Sequence, residues 1–374
     1  MKQTLLDRLN LVRIKLTTHA GERRRWSQIQ RDGQPHIFYG HDTIPGVDEI
    51  AGGGLIKLQD LAERFPNTPC GANILYLVSS ALPYFPVRMA TWAKEAGAKI
   101  VINQNGVHYP GWYGKGWHEA NAPMRELLQL ADHVVYQSEF CKLSAEEFLC
   151  TPTCGWQIWH NPVPTDRFLP SDDRPPLSDG LRVLCAGSFW SRYRLDCALQ
   201  ATRSILRGRG KIHLTIAGRL CWHRDESVAR GELDAMINDL ELEGHITIIG
   251  PYTQQAAASV LSNSHLLLHT KVNDPSPRLV VEAMSCGLPV VYSDTGGVPE
   301  LVGRDAGLAV PGIIDFAVDT PPDPILLAHA MRNIMEDYEG YSTRARARAM
   351  ELFDVREWLQ RHAVLFSELA NEAR

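Results

Sequence analysis

The sequence has few features of a membrane-spanning, secreted or nucleic-acid-binding protein. No apolar run in its 374 residues approaches the roughly 18 to 20 residues that cross a bilayer, and the N-terminus lacks the apolar core of a signal peptide. The eight cysteines include no Cys-x-x-Cys pair, which argues against a structural zinc site and a disulfide scaffold. Lys and Arg total 38 against 43 Asp and Glu, and the net charge of −5 disfavours a nucleic-acid partner. We therefore expect a cytoplasmic protein that binds no nucleic acid.

Length and composition favour two packed domains. At about 150 residues per domain the chain would form roughly two, and its 44% hydrophobic and 22% charged residues are typical of globular proteins. A stretch rich in proline and aspartate, residues 162–180, suits an exposed connector. We expect an N-terminal domain over residues 1–170, a C-terminal domain over residues 171–345, and closing helices over residues 346–374 that cross back to the first domain.

Short β-branched strands alternate with helical segments in both halves of the chain. Such runs occur at residues 74–78, 99–103, 133–136, 182–186, 213–217 and 289–292. This alternation is typical of α/β folds in which helices cover both faces of a parallel sheet. The sequence therefore predicts two Rossmann-like, doubly wound domains that face an interdomain cleft, where such folds place their ligands.

The first 35 residues form a basic, helical leader in our interpretation. Seven of the first 25 residues are Lys or Arg, and leucines recur near helical spacing. Two interpretations remain open, a solvated helix packed on the first domain and a helix lying on the inner face of a membrane.

Residues 273–300 are the most informative part of the sequence. Ser276 is a good N-cap, Pro277 suits the first helical position, and Gly287 suits a left-handed stop. The positive end of this short helix would meet the carboxyl edge of the sheet, where an anion can bind. Arg278 and Glu282 share one helix face and Asp274 lies just before the helix, so charged groups and hydroxyl acceptors flank the anion site. That combination suits a nucleotide sugar.

The same segment resembles the donor-binding signature of retaining glycosyltransferases of family 4, which have the GT-B fold. Residues 282–291 read Glu-Ala-Met-Ser-Cys-Gly-Leu-Pro-Val-Val, and residues 296–300 read Gly-Gly-Val-Pro-Glu. The resemblance implies that Glu282 binds the donor ribose, that Asp274 contacts the transferred sugar, and that Gly296 and Gly297 belong to the donor site.

Two prolines depart from the family pattern. Pro275 and Pro277 replace glycines and remove two amide donors, which leaves the amides of Ser276, Arg278 and Leu279 for the diphosphate.

Two further segments extend the resemblance on the donor side. Residues 187–196 resemble the first loop of the C-terminal domain, so either Arg192 or Arg194 would hold the diphosphate, unless both are solvated arginines. Tyr252 would stack on the nucleobase or pack within its loop.

The acceptor half is less clearly defined. Gly52, Gly53 and Gly54 resemble the family's glycine loop, which approaches the donor phosphates or the acceptor. Asn105 occupies the position at which many members carry a histidine close to the sugar. Trp112 and Tyr113 lie in a glycine-rich loop, where they would stack on an acceptor or attach the loop to the core.

The resemblance implies a reaction. A hexose would pass with retention from a UDP- or GDP-sugar to a glycan, a lipid-linked or a small hydroxyl acceptor, as in polysaccharide biosynthesis. We expect no cofactor and no metal, since no Asp-x-Asp motif is present and His265 and His269 bracket a strand that holds them too far apart for one ion. A nucleotide-sugar epimerase-like enzyme and a non-catalytic sugar-nucleotide binding protein remain the alternatives.

Overall fold

The structure is a computed structural model that describes residues 21–372. The basic leader therefore lies largely outside the described residues, and neither interpretation of it is tested. Within the described part, no helix combines the length and apolar character needed to cross a membrane.

The first half of the chain builds a five-stranded parallel sheet in the order β1-β2-β3-β4-β5. Its strands are β1 (Ile37–Phe38), β2 (Ile74–Val78), β3 (Lys99–Gln104), β4 (His133–Tyr136) and β5 (Gly155–Ile158). Its helices are α1 (Gly53–Arg64), α2 (Pro86–Glu95), α3 (Pro110–Tyr113), α4 (Trp117–Leu130) and α5 (Glu139–Phe148).

The second half builds a six-stranded parallel sheet in the order β11-β10-β9-β6-β7-β8. Its strands are β6 (Leu181–Ala186), β7 (Ile212–Ala217), β8 (Ile246–Ile249), β9 (Leu266–His269), β10 (Val290–Ser293) and β11 (Gly307–Val310). Its helices are α6 (Tyr193–Arg207), α7 (Glu226–Asp239), α8 (Gln254–Ser262), α9 (Arg278–Ser285), α10 (Val298–Val302) and α11 (Pro324–Glu336).

The strand order of the second sheet is that of a Rossmann fold, and it reverses between β6 and β9. The crevice beyond the carboxyl ends of the two strands at such a switch point is where open α/β sheets bind ligands. The loops that follow β6 and β9 therefore define where a ligand of the second domain would lie.

Two closing helices complete the chain, α12 (Tyr338–Leu352) and α13 (Val355–Glu372). α12 packs on the second domain, where Ala345 and Ala349 join its core. The chain then changes domain at Phe353–Val355, whose backbone pairs with Val163 of the connector. The boundary that we expected at residue 345 thus lies inside α12.

Helices cover both faces of the first sheet, but one of them comes from the far end of the chain. α2, α4 and α5 pack on one face with residues such as Met89 and Leu127. On the other face, α1 and α13 pack against β2, where Phe366 lies edge-on to Tyr76 at 5.7 Å between ring centroids. The sequence reading missed the edge strands β5 and β11, and α3 forms within the loop that holds Trp112.

Candidate active site

A cleft of about 470 Å³ lies between the carboxyl edges of the two sheets. The second domain contributes the loops after β6 and β9 and the start of α9, and the first domain contributes the start of α1 and the ends of β3 and β4. Predicted residues that line the cleft are Gly52, Gly53, Gly54, Asn105, Arg194, Tyr252, Asp274, Ser276, Arg278, Leu279 and Glu282. The switch point of the second sheet thus opens into this cleft.

Helix α9 begins one residue later than the sequence predicts. Pro277, with ψ of 117°, is the N-cap, and the helix runs from Arg278 to Ser285. Ser276 does not cap the helix: Asn161 of the connector donates its Nδ2 to the carbonyl of Ser276 at 2.6 Å and to its Oγ at 3.3 Å. Gly287 takes the predicted left-handed conformation, with φ of +72°.

Glu282 faces the cleft from the middle of α9 and forms an ion pair with Arg278. Arg278 donates its Nε to Glu282 Oε1 at 2.8 Å, and Gln254 donates to the same oxygen at 3.0 Å. The structure gives Oε2 no hydrogen-bond partner among residues 21–372, so this oxygen is free to accept from the hydroxyls of a ligand.

The side chain of Arg278 binds two carboxylates, those of Asp60 and Glu282. Its two Nη atoms donate to Asp60 of α1, and its side chain is only 7% exposed. Burial alone would lower the pKa of Arg278, but Asp60 and Glu282 outweigh burial and raise it above its usual value. The backbone amides of Arg278 and Leu279, in the first turn of α9, remain the anion donors.

Asp274 is held as a charged carboxylate at the second-domain side of the cleft. Its Oδ2 lies 3.0 Å from His269 Nε2, and Lys271 donates to its Oδ1 at 3.0 Å. Burial alone would raise the pKa of Asp274, but Lys271 and His269 together hold it well below the usual range.

The ring of His269 is fully enclosed and uncharged. Burial lowers its pKa, so Nε2 carries the proton that it donates to Asp274. Its Nδ1 is then an acceptor, and it has no partner within the described part of the chain. His265, by contrast, binds the backbone of Arg182 and Pro175, so the two histidines do not form a pair.

The structure distinguishes the two arginines that the sequence could not separate. Arg194 lines the cleft at 4% exposure and donates Nη1 to Ser188 O at 2.9 Å and Nη2 to Ala186 O at 3.2 Å. Its Nε has no partner among the described residues. Arg192 is about half exposed, pairs with Asp196 at 3.4 Å, and does not line the cleft. Of the two arginines, Arg194 is therefore the one that lines the cleft.

Gly296 and Gly297 do not line the cleft but lie behind the loop that presents Asp274, so their predicted place in the donor site stays a prediction. The Gly297 amide donates to the carbonyl of Asp274 at 2.9 Å. A Cβ at Gly297 would lie 2.0 Å from the Pro275 carbonyl oxygen, and one at Gly296 would lie 2.5 Å from that of Asp274. Only glycine therefore allows the 296–297 backbone to support the loop that presents Asp274.

Glu300, the last residue of the same motif, holds the two domains together. Its carboxylate accepts from the amides of Glu139 and Phe140 at 2.8 and 2.9 Å, and so caps α5 of the first domain. Ser138, next to these residues, donates its Oγ to the Pro275 carbonyl at 2.6 Å. The loop over residues 273–275 is thus fixed from both domains.

The aromatic pair of the acceptor half does not line the cavity. Trp112 and Tyr113 pack on His108, with ring centroids 5.5 and 4.5 Å apart, and both rings remain partly exposed on α3. The neighbouring Gly111 donates its amide to the carbonyl of Phe316 in the second domain. Their expected stacking on an acceptor is not supported by this placement.

Several cleft residues were missed by the sequence reading. They are Lys57, Gln137, Asn161, Trp190, His269 and Lys271. Trp190 is 63% exposed and lies in the 187–196 segment, where the sequence singled out only the two arginines. Lys57 is a charged residue in the amphipathic helix α1, and only the fold shows that its side chain is buried.

Comparisons with known proteins agree with this geometry. Residues 172–350 match the family model described as glycosyl transferases group 1. The phosphatidylinositol N-acetylglucosaminyltransferase gpi3 subunit of Schizosaccharomyces pombe is 21% identical over 71% of this chain and 54% of the relative. A GDP-mannose-dependent monoacylated alpha-(1-6)-phosphatidylinositol monomannoside mannosyltransferase of Corynebacterium glutamicum is 24% identical over 63% of this chain and 65% of the relative. The chain therefore spans about half to just under two thirds of the length of these relatives.

Solved structures show the same architecture. Alr3699/HepE of Anabaena, determined in complex with UDP, superposes with a TM-score of 0.69 at 16% identity, over 90% of this chain and all of that one. Sucrose-phosphate synthase of Thermosynechococcus elongatus superposes with a TM-score of 0.62 at 16% identity, over 83% of this chain and 76% of that one. Residues 172–350 are thus similar to the glycosyl transferases group 1 model, and the two domains together have a GT-B fold.

Proposed function

We propose that this protein is a retaining glycosyltransferase of family 4 that moves a hexose from a nucleotide diphosphate sugar to a hydroxyl acceptor. The observation that carries the proposal is the composition of the cleft at the switch point of the second sheet. There, the buried guanidinium of Arg194, the N-terminus of α9 and Glu282 line one cavity. Among residues 21–372, Arg194 pairs with no carboxylate and Glu282 Oε2 accepts no hydrogen bond. A cation and free helix amides suit a diphosphate, and a carboxylate oxygen suits the hydroxyls of a ribose.

The donor would lie along the second-domain wall of the cleft. Its ribose would donate to Glu282 Oε2, with the base near Tyr252, and its diphosphate would accept from Arg194 Nε and from the amides of Arg278 and Leu279. The transferred sugar would then lie beside Asp274, whose charge can orient a sugar hydroxyl.

The hydrogen bonds and the lowered pKa of Asp274 fit a retaining reaction that forms no covalent intermediate with this carboxylate. Both of its carboxylate oxygens already accept hydrogen bonds, from His269 and Lys271, and its lowered pKa makes it a weak nucleophile. We infer that the acceptor attacks on the side of the leaving diphosphate. Catalysis would then rest on stabilising the charge that develops on the leaving group, through the α9 amides and Arg194, and on positioning the two substrates.

The names of the relatives leave the donor open between two nucleotides. The Corynebacterium relative is named as GDP-mannose-dependent, whereas Anabaena HepE was determined with UDP and with UDP-glucose. We keep both UDP- and GDP-sugars as donors, and a glycan, a lipid-linked or a small hydroxyl compound as acceptor. That the reaction needs no metal, and that it takes place in the cytoplasm, are parts of the same proposal.

The proposal is tested by measuring binding of UDP and GDP to the wild type and to Glu282→Ala by isothermal titration calorimetry. We expect one nucleotide to bind the wild type, and the Glu282→Ala variant to lose at least about tenfold in affinity, since it removes the ribose acceptor. Glu336→Gln, an exposed glutamate on α11, is the matched control and should bind like the wild type. Equal affinity of wild type and Glu282→Ala would refute the donor site.

Measuring the products formed from the donor distinguishes a glycosyltransferase from the two alternative functions. A glycosyltransferase releases the nucleotide diphosphate from its donor, slowly to water and faster with an acceptor. Conversion of the sugar with no release of nucleotide would instead indicate an epimerase-like enzyme, and nucleotide binding with no turnover of any donor would indicate a non-catalytic binding protein.

A further inference from the structure

A buried lysine that pairs with no carboxylate among residues 21–372 lies on the first-domain side of the cleft. Lys57 of α1 is 2% exposed and lines the cavity, and its Nζ donates to Asn103 Oδ1 at 3.1 Å. The nearest acid on its own helix, Asp60, is bound to Arg278 instead. A buried ammonium is costly unless it is paired, so this position calls for a partner that the described residues do not provide.

The hydrogen bonds behind Lys57 fix the orientation of Asn103. Asn103 donates its Nδ2 to Tyr76 OH at 2.9 Å, and Tyr76 OH lies 3.0 Å from His362 Nε2. Because His362 Nδ1 lies 2.9 Å from the Trp358 carbonyl and carries the proton, Nε2 accepts from Tyr76. The amide oxygen of Asn103 must therefore face Lys57, and the remaining ammonium hydrogens of Lys57 are available to the cleft.

Gln137 places an acceptor next to this cation. Its Nε2 donates to the same Asn103 Oδ1 at 2.6 Å, which leaves its Oε1 buried and without a partner within the described chain. Gln137 lines the cavity and is fully buried. A ligand that satisfied both groups would offer an anionic oxygen to Lys57 and a hydroxyl to Gln137.

The start of α1 adds two amide donors to the same wall. α1 has twelve residues, and the amides of Gly53 and Gly54 lie in its first turn, where no intrahelical acceptor exists. A Cβ built at Gly52 or Gly53 would meet none of the described atoms within 4 Å, so the space over this helix end is open. The positive end of α1 and Lys57 therefore favour negative charge at the same wall.

We propose that this wall is an acceptor subsite that selects a hydroxylated compound carrying an anionic group, a phosphate or a carboxylate. The inference deepens the proposed transferase function and rests on it. Lys57 and the first turn of α1 would hold the anion, and Gln137 Oε1 would accept from a hydroxyl of the same molecule. Arg194 and α9 stay with the donor, on the opposite wall.

Anion binding at Lys57 should be accompanied by proton uptake. Burial lowers the pKa of Lys57 to about 7. Of the facing groups, Cys141 and Asp60 raise this pKa and Arg278 lowers it, while His362 of α13 has its own pKa lowered to about 3 by burial and by the charge of Lys57. An anion beside the ammonium would favour the charged form and raise the pKa. At a pH above 7 the protein would therefore take up a proton when the anion binds.

The test uses three sugars that differ only at carbon 6, with the donor site saturated by whichever of UDP and GDP binds. Glucose 6-phosphate, glucuronate and glucose are each titrated into the complex by calorimetry, in two buffers of different ionisation enthalpy. We expect at least one of the two anionic sugars to bind at least about tenfold more tightly than glucose, with proton uptake. The affinities for glucose 6-phosphate and for glucuronate show whether the subsite prefers a phosphate or a carboxylate.

Lys57→Met keeps the length of the side chain and removes its charge, so it should abolish both the preference over glucose and the proton uptake. Lys94→Met is the matched control, because Lys94 lies on α2 of the same domain, pairs with Asp132 and is 41% exposed. Equal affinity of the wild type for all three sugars would overturn the inference, and this result needs no variant. It would also be overturned if Lys57→Met weakened UDP or GDP binding as much as Arg194→Met does. Absence of any nucleotide binding would instead count against the proposed function.

Discussion

Replacing Asp60 by Asn should both loosen the contact between the domains and weaken nucleotide binding at the proposed donor site. Arg278 of the second domain donates to Asp60 of the first and to Glu282 of its own helix, and the three side chains are only 7 to 8% exposed. Removing one partner of a buried ion pair costs about 3 to 5 kcal/mol. Because Glu282 still neutralises Arg278, we expect the lower end, a loss of about 3 kcal/mol in the free energy of unfolding.

The same change should alter nucleotide binding. In Asp60→Asn, the guanidinium of Arg278 interacts with Glu282 as its remaining carboxylate, so Glu282 is less available to a ribose. We expect the Kd of the bound nucleotide to rise by about tenfold, which corresponds to about 1.4 kcal/mol.

Urea unfolding followed by tryptophan fluorescence measures the stability, and calorimetry measures the Kd. Glu63→Gln is the matched control, since Glu63 lies on the same helix and pairs with Arg167, but both side chains are more than half exposed. A surface pair of this kind contributes only about 0 to 1 kcal/mol. If Asp60→Asn cost no more than Glu63→Gln, the reasoning that a buried interdomain ion pair supports the donor site would be refuted.

Three further predictions concern single residues. Arg194→Met should weaken nucleotide binding in calorimetry at least about tenfold, whereas Arg192→Met should change it by less than about twofold, and equal losses would contradict the assignment of Arg194. Gly297→Ala should lower the free energy of unfolding in urea by about 2 kcal/mol or more, because the new Cβ would lie 2.0 Å from the Pro275 carbonyl oxygen; an unchanged urea midpoint would show that this loop is free to move. Burial lowers the pKa of His362 to about 3, below the value near 6.5 in the unfolded chain, so the unfolded state binds the extra proton and stability falls on acidification. His362 alone should contribute about 2 kcal/mol of loss between pH 7 and pH 5, and His362→Gln should lose correspondingly less stability over that range; identical pH profiles would contradict the buried, neutral ring.

The cleft residues of the second domain were easier to predict than those of the first, because the patterns that indicate them lie within one short stretch of sequence. The helix at 278–285, the stop at Gly287 and the carboxylates at 274 and 282 follow from neighbouring residues in the sequence. Arg194 could not be separated from Arg192 because both follow the same loop, and only the packing of α6 turns one toward the cleft. The partner of Arg278 could not be predicted, because Asp60 lies 218 residues away.

The acceptor half depends on contacts that no local pattern contains. Lys57 is charged, yet α13 and the ends of β3 and β4 bury it among Asn103, Gln137 and His362. The edge strands β5 and β11 were missed because each has only four residues, begins with glycine, and is largely or partly exposed. Packing against the rest of the sheet, rather than the intrinsic β-propensity of their residues, makes these two segments strands.

A crystal structure of the protein with UDP or GDP, whichever binds, tests the central claim that the cleft at the switch point is the donor site. We expect diphosphate oxygens within about 3.2 Å of Arg194 Nε and of the first amides of α9, with the ribose hydroxyls on Glu282 Oε2. A nucleotide bound elsewhere, or one whose ribose avoids Glu282, would contradict it.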